Sequence, residues 1–271
     1  MMKRIRKPAV AGSFYPSDPG VLRTTVVTLL AEARGWHGAA PLALVAPHAG
    51  YVYSGPVAAS AYACLKPFRE RYRRVVLLGP AHRAAVRGIA LPDVDAFASP
   101  LGDVALDRET MDALDDPDVM VDDAAHRLEH SLEVQLPFLQ VMLNRFRLVP
   151  LLIGAAAPVT VARVIERLWT SPDTLVVVST DLSHYLPHAE ARQRDHATCR
   201  AIEELTGEAL TGQDACGAAP LKGLLLAAER RGLAVRTLDL RNSGDTAGDR
   251  AQVVGYGAWI FTGEDTCINA A

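Results

Sequence analysis

Short apolar runs alternate along this chain with stretches whose apolar residues recur every three to four positions. Residues 42–46 read as a buried strand ending at Pro47, and residues 75–78 as a second, stopped by Gly79 and Pro80. Residues 88–91 are a candidate third strand, 148–153 and 175–178 are two more, and 234–240 and 253–261 close the chain as strands. Between them lie helical patterns. Residues 56–65 form one, with Pro56 in its first turn, and residues 107–114 another, with Asp107 as N-cap. Residues 131–143 place Leu132, Leu136, Leu139 and Leu143 at helical spacing, and helices are also expected over 160–169, 189–205 and 218–231. Alternation of this kind predicts an α/β fold, a single domain over residues 1–271 with a largely parallel central sheet flanked by helices. No internal repeat or low-complexity linker marks a boundary inside it.

Composition narrows the setting. A chain of 271 residues with 49% hydrophobic and 22% charged residues can bury a core without staples. Its net charge of −3, with signs mixed, offers no basic field for nucleic acid. The cysteines at 64, 199, 216 and 267 form no CxxC pair, so no disulfide framework is expected and a reducing compartment fits. Residues 1–7 are basic, but Gly12, Ser13, Pro16 and Asp18 break up the next stretch before any apolar run can form, which argues against a secretory signal. The apolar runs fall short of a bilayer span. A cytoplasmic protein with neither nucleic-acid nor membrane partners is the expectation. A phosphate-cradling G-x-x-x-x-G-K-[ST] loop, a dinucleotide G-x-G-x-x-G and a G-x-S-x-G elbow are all absent from the sequence.

The chemistry collects after the strands. The first runs into His48, the second into His82, and the strand over 175–178 into Asp181, Ser183 and His184. In open α/β sheets ligands bind beyond the carboxyl ends of parallel strands, so these three histidines should face a common cleft. Imidazole is a common ligand for borderline metals and titrates near neutrality. Two histidines and an anionic donor with open positions suit iron, copper or zinc. Asp181 could orient a histidine or act as a base; its structural role would be to cap the next helix. The run from His126 to His130 matches H-x-x-E-H, with Glu129 as base and Glu203 or Glu204 as a downstream carboxylate. That pattern is short, Pro137 follows closely, and it leaves the strand-end histidines unused. Cys216 precedes the helix that starts at 218, where a thiolate is favoured by the helix dipole. Cys64 and Cys199 fall inside helical patterns and read as packed thiols, and Cys267 as incidental.

Several segments, in order, resemble the Memo family, also called AmmeMemoRadiSam system protein B. They are R-K-P-A-V-A-G-S-F-Y-P from Arg6, A-P-H-A-G-Y-V-Y-S-G from Ala46, L-G-P-A-H from Leu78, E-H-S-L-E-V-Q-L-P-F from Glu129, S-T-D-L-S-H-Y from Ser179 and D-A-C-G from Asp214. The resemblance implies a fold similar to the catalytic subunit of class III extradiol dioxygenases, which hold non-haem iron(II) with two histidines and a carboxylate. By the family's motifs His48 and His82 match the histidine ligands and Cys216 the third position, while His130, Asp181 and His184 match residues lining the same cleft. A thiolate in place of a carboxylate shifts preference toward copper, zinc or redox use.

Two functions are expected on these grounds. One is a metal-dependent oxidoreductase, with iron or copper (zinc is possible), acting on an unknown small molecule at a His/His/Cys site. The other is a non-enzymatic protein that binds a peptide or phosphopeptide in a dioxygenase-like cleft; a zinc hydrolase stands behind both. The family name also implies a pathway link to a radical-SAM protein and an AMMECR-type protein.

Overall fold

The computed structural model describes residues 4–263; Cys267 lies outside them. The strands are β1 (Ile5–Arg6), β2 (Ala43–Ala46), β3 (Arg74–Pro80), β4 (Ile89–Leu91), β5 (Ala96–Ser99), β6 (Gly102–Ala105), β7 (Val119–Val121), β8 (Arg147–Ile153), β9 (Thr174–Ser179), β10 (His184–Leu186), β11 (Ala234–Asn242) and β12 (Val253–Thr262). The helices are α1 (Pro19–Glu32), α2 (Tyr51–Tyr62), α3 (Arg108–Asp112), α4 (Asp123–Arg127), α5 (Leu136–Met142), α6 (Pro158–Leu168), α7 (His188–Glu203), α8 (Ala218–Arg230) and α9 (Ser243–Thr246).

The main sheet runs β10-β12-β2-β9-β3-β8-β4-β7, with β11 also paired to β12. Its centre is parallel: β2 on β9, β9 on β3 and β3 on β8. Those four strands are buried along nearly their whole length, as strands covered on both faces must be. Parallel neighbours need a crossover, and helices supply it: α2 lies between β2 and β3 in the chain, and α6 between β8 and β9. Outside this centre β12 is antiparallel to β2, and β4 is antiparallel to β8. The parallel arrangement read from the sequence therefore describes the middle of a mixed sheet. A second sheet, β1-β5-β6, ties the N-terminal segment to the body. The buried apolar residues of these elements form one connected core. Among the described residues no helix is long and apolar enough to cross a membrane.

Two helices depart from the expected bounds, and each contains a proline. The helix expected over 56–65 begins earlier, as α2, with Pro56 inside it, and continues as a 3-10 turn over Ala63–Phe68. The helix expected over 131–143 is shorter. A 3-10 turn at Glu133–Gln135 precedes α5, in whose first turn Pro137 stands, where a missing N–H costs nothing. The irregular backbone upstream of α5 carries residues 129–131 to the ends of β3 and β9.

Candidate metal centre

His48 stands two residues past β2, His82 two past β3, and Asp181 two past β9. These strands are parallel, so their carboxyl ends share one edge of the sheet. His130 arrives from the loop before the 3-10 turn, with Ser131 donating its hydroxyl to the Pro80 carbonyl at 2.9 Å. Gly79 permits this approach, since a Cβ there would stand 2.8 Å from Ser131 Oγ. The ring centroids are 5.2 Å apart for His48 and His82, 5.6 Å for His48 and His130, and 4.9 Å for His82 and His130. One ligand atom from each of these three histidines lies within 4.8 Å of the other two. The cavity they line, of about 900 Å³, is also lined by Asp181, His184 and Cys216. The six residues that the family's motifs point to thus share one cavity, and the trio whose ligand atoms cluster is His48, His82 and His130.

Hydrogen bonds fix the tautomers of two of these rings. Ser179 Oγ has one proton and donates it to the Ser131 carbonyl at 2.6 Å. It accepts from Gln135 Nε2 at 2.7 Å, and Gln135 is itself oriented by donating to the Pro47 carbonyl and accepting from the Tyr62 hydroxyl. The contact of 2.9 Å between Ser179 Oγ and His48 Nδ1 must therefore be a donation from the ring. Nδ1 carries the proton, and Nε2 keeps its lone pair. His82 Nδ1 lies 3.0 Å from Glu129 Oε1, so it too donates to a carboxylate and leaves its Nε2 free. His130 Nδ1 is buried 3.2 Å from the same oxygen without hydrogen-bond geometry, and it has no hydrogen-bond partner. Burial lowers the His48 pKa to about 3, with the neighbouring His82 acting in the same direction. Burial, then His48, lowers His130 to about 4. Both are neutral bases at physiological pH, as ligation requires.

Glu129 is the residue the sequence reading placed wrongly: it entered as the base of H-x-x-E-H and as the first residue of a family motif, with no part assigned in orienting the histidines. Its carboxylate accepts from the backbone N–H groups of His82 at 2.5 Å, Arg83 at 3.2 Å, His130 at 2.8 Å and Ser131 at 3.0 Å, besides the His82 ring. Burial opposes ionisation, but the bonds from the His82 ring and these amides outweigh it and hold the carboxyl well below the usual range. Its place beside His130 at the start of the E-H-S-L-E motif was the available signal. His126 does not join. It is buried in α4 with Nε2 donating to the Ala90 carbonyl at 2.9 Å and its ring against Phe97. The H-x-x-E-H reading fails because α4 ends at Arg127, so the two histidines never share a helical face.

Asp181 Oδ1 accepts the His48 backbone N–H at 2.8 Å. Burial raises its pKa, against that bond and one from the Ala49 amide. Cys216 Sγ lies 3.3 Å from His48 Nε2 and accepts the Asp181 N–H at 3.3 Å. Two donors on one tetrahedral ion stand roughly 3.5 Å apart, from bonds of about 2.0 Å to nitrogen and about 2.3 Å to sulfur. Cys216 thus fits beside His48 on one ion, although it is not one of the three that mutually cluster. Burial, then Asp181, pushes its thiol up to about 12, so it is protonated without a metal. Gly217 makes this placement possible: a Cβ there would meet Thr180 Cβ at 2.7 Å. His184 Nδ1 donates to the Leu182 carbonyl at 2.7 Å, which leaves its Nε2 as a free acceptor. Cys64 and Cys199 are buried, as expected of packed thiols.

The N-terminal segment braces the cluster. Buried Glu133 accepts from Arg6 Nη1 at 2.6 Å, the amides of Ala9 and Val10 at 2.7 and 2.9 Å, and the Tyr15 hydroxyl at 2.6 Å. The same segment sets the Phe14 ring edge-on to His130, 4.9 Å between centroids.

The family model described as Memo-like protein matches residues 6–260. A MEMO1 family protein of Aquifex aeolicus is 37% identical over 273 residues, covering 95% of this chain and 99% of the relative. One from Methanosarcina barkeri is 38% identical over 269 residues, covering 94% and 99%. A crystal structure of an uncharacterized Escherichia coli K12 protein, JW3007, is similar in fold, with a TM-score of 0.52 at 15% identity, over 82% of this chain and 99% of that one.

Proposed function

The chain belongs to the Memo family, and on that footing we propose that it is a metal-dependent oxidoreductase acting on a small molecule in the histidine cavity. The observation that carries this reading is the pair of fixed tautomers. His48 and His82 both commit Nδ1–H to internal acceptors, so both present the Nε2 lone pair. A cleft for binding alone has no need of basic nitrogens oriented in this way. His48 and His82 would hold the ion, with Cys216 as the third donor and His130 as a further imidazole within reach. A soft thiolate beside imidazoles suits copper or iron, with zinc as the redox-inert competitor. Bound iron or copper would supply electron transfer towards dioxygen or Lewis acidity towards an oxygen-bearing substrate.

The remaining groups handle protons. His184 Nε2 is a free acceptor inside the cavity and is suited to act as general base. Asp181 holds the His48 backbone in place and stands 3.9 Å from its Nε2. Elemental analysis of protein purified without added metal, followed by dioxygen uptake with candidate phenols, tests the reading. Near-stoichiometric iron or copper and substrate-dependent uptake are expected. Protein that takes up neither metal after anaerobic reconstitution would sink it and favour a non-enzymatic binding role.

A further inference from the structure

The cavity contains two arginines that this chemistry leaves unused. Arg83 directly follows His82, and its backbone N–H is held by Glu129. Its exposed guanidinium makes no ion pair or hydrogen bond among the described residues. Arg194, on α7, is half-buried and loosely engaged, with Nη1 3.5 Å from the Gln213 carbonyl and Nε 3.9 Å from Asp214 Oδ1. The other Asp214 oxygen is occupied by the Thr211 amide and hydroxyl. A guanidinium presents five N–H donors in a planar fork matched to carboxylate and phosphate, so both residues keep most of their donors open. Asp181 is the one carboxylate of the cavity lining, and its Oδ1 is committed to the His48 backbone.

Tyr185 provides an independent sign at the rim. His184 lies opposite Val254 and Leu186 opposite Val253, so Tyr185 is the extra residue of a bulge between β10 and β12. Its φ of 57° is left-handed, which is unfavourable for a bulky side chain, and the residue is 69% exposed. Bulges beside active sites re-aim side chains, and strain of this kind marks functional positions. Here the bulge puts an aromatic ring on the cavity wall, 5.8 Å from the His184 ring.

We propose that the cavity selects a substrate carrying an anionic group, a carboxylate or a phosphate monoester, gripped by Arg83 and Arg194 while its body lies against Tyr185. This rests on the cavity being the reaction site proposed above. The test is calorimetric titration of the full chain, metal-free and metal-reconstituted, with benzoate, phenyl phosphate and the uncharged benzamide. At least one anion should bind, benzamide should bind at least about tenfold more weakly, and the tighter anion names the group. Arg83→Gln and Arg194→Gln should each weaken that anion by about tenfold, at unchanged metal content, and Tyr185→Ala by several-fold. Benzamide binding as tightly as the anions, no anion binding to either form, or wild-type affinity in both arginine variants would overturn the proposal. Arginine-dependent binding in a protein that takes up no metal supports it while removing the oxidoreductase reading.

Discussion

Replacing Glu129 with glutamine tests how much of the centre rests on one carboxylate. Oε2 serves the backbone N–H groups of His82 and Arg83; Oε1 serves the His82 ring and the amides of His130 and Ser131. Whichever way the amide of Glu129→Gln turns, its NH2 faces at least two N–H donors. A hydrogen bond to a charged acceptor is worth about 1.5–3 kcal/mol, so losing two costs roughly 3–6 kcal/mol before relaxation. Water reaches His82, which places the expected cost near the low end, about 3 kcal/mol. In a chain of this size that lowers Tm by roughly 6 °C, at about 2 °C per kcal/mol. The freed His82 ring should cost about 10–100-fold in metal affinity, the usual effect of an outer-shell change. The sign with pH follows from the depressed carboxyl. Its stabilisation is complete above the unfolded pKa, about 4.3, and is lost as pH falls towards the lower folded value. The gap between wild type and variant should therefore hold from about pH 8 to 5 and narrow below about pH 4. Melts across that range, with metal affinity from chelator competition, measure both quantities. A variant that melts within about 1 °C of wild type and keeps its metal would refute the reasoning.

Three further outcomes are expected. His82→Ala should lose metal yet melt near wild type, because His82 is exposed; His48→Ala should also lose metal but cost about 1–3 kcal/mol, because its buried ring is a donor to Ser179. If Cys216 is a ligand, its thiol, pushed up to about 12, must lose a proton on binding, so zinc affinity should rise about tenfold per pH unit between about pH 7.5 and 9.5. A flat wild-type profile, or an unchanged slope in Cys216→Ser, would leave the histidines as the donors. Urea midpoints should fall from about pH 6.5 down to about pH 4.5, because unfolding lets His48 and His130 take up protons that their folded pKa values, lowered to about 3 and about 4, refuse. Flat midpoints across that window would contradict the buried neutral rings.

Strands buried on both faces read clearly in the sequence, because a continuous apolar run needs no periodicity to stand out. The edge at which His48 and His82 meet followed from parallel strands alone; His184 lines the same cavity from β10, which is antiparallel to β12. α1 escaped because its apolar residues circle the helix: Leu22 and Val26 are buried, while Val21 and Val27 are 54% and 48% exposed. The antiparallel flanks escaped because a run of apolar residues carries no direction. His130 could be placed in the cleft only by family motif, because it follows no strand, and the irregular turn that delivers it has no period to read. Ser179 and Gln135, which set the His48 tautomer, look like ordinary polar residues until their partners are known.

The motifs scattered through the chain are physically one network, and this bears on what the cleft is for. Tyr62 orients Gln135, Gln135 and Ser131 orient Ser179, and Ser179 fixes the His48 ring. Glu129 fixes His82 from the same loop, and Arg6, Ala9, Val10 and Tyr15 hold that loop through Glu133. A buried polar network is costly unless fully satisfied. This one is satisfied almost throughout, and the exception, His130 Nδ1, lies inside the imidazole cluster. The fold thus holds three imidazole rings close together, and burial keeps two of them, His48 and His130, neutral. A peptide-binding cleft would gain as much from exposed, mobile side chains. Ligand atoms of three imidazoles within 4.8 Å of one another are spaced to hold a single small cation.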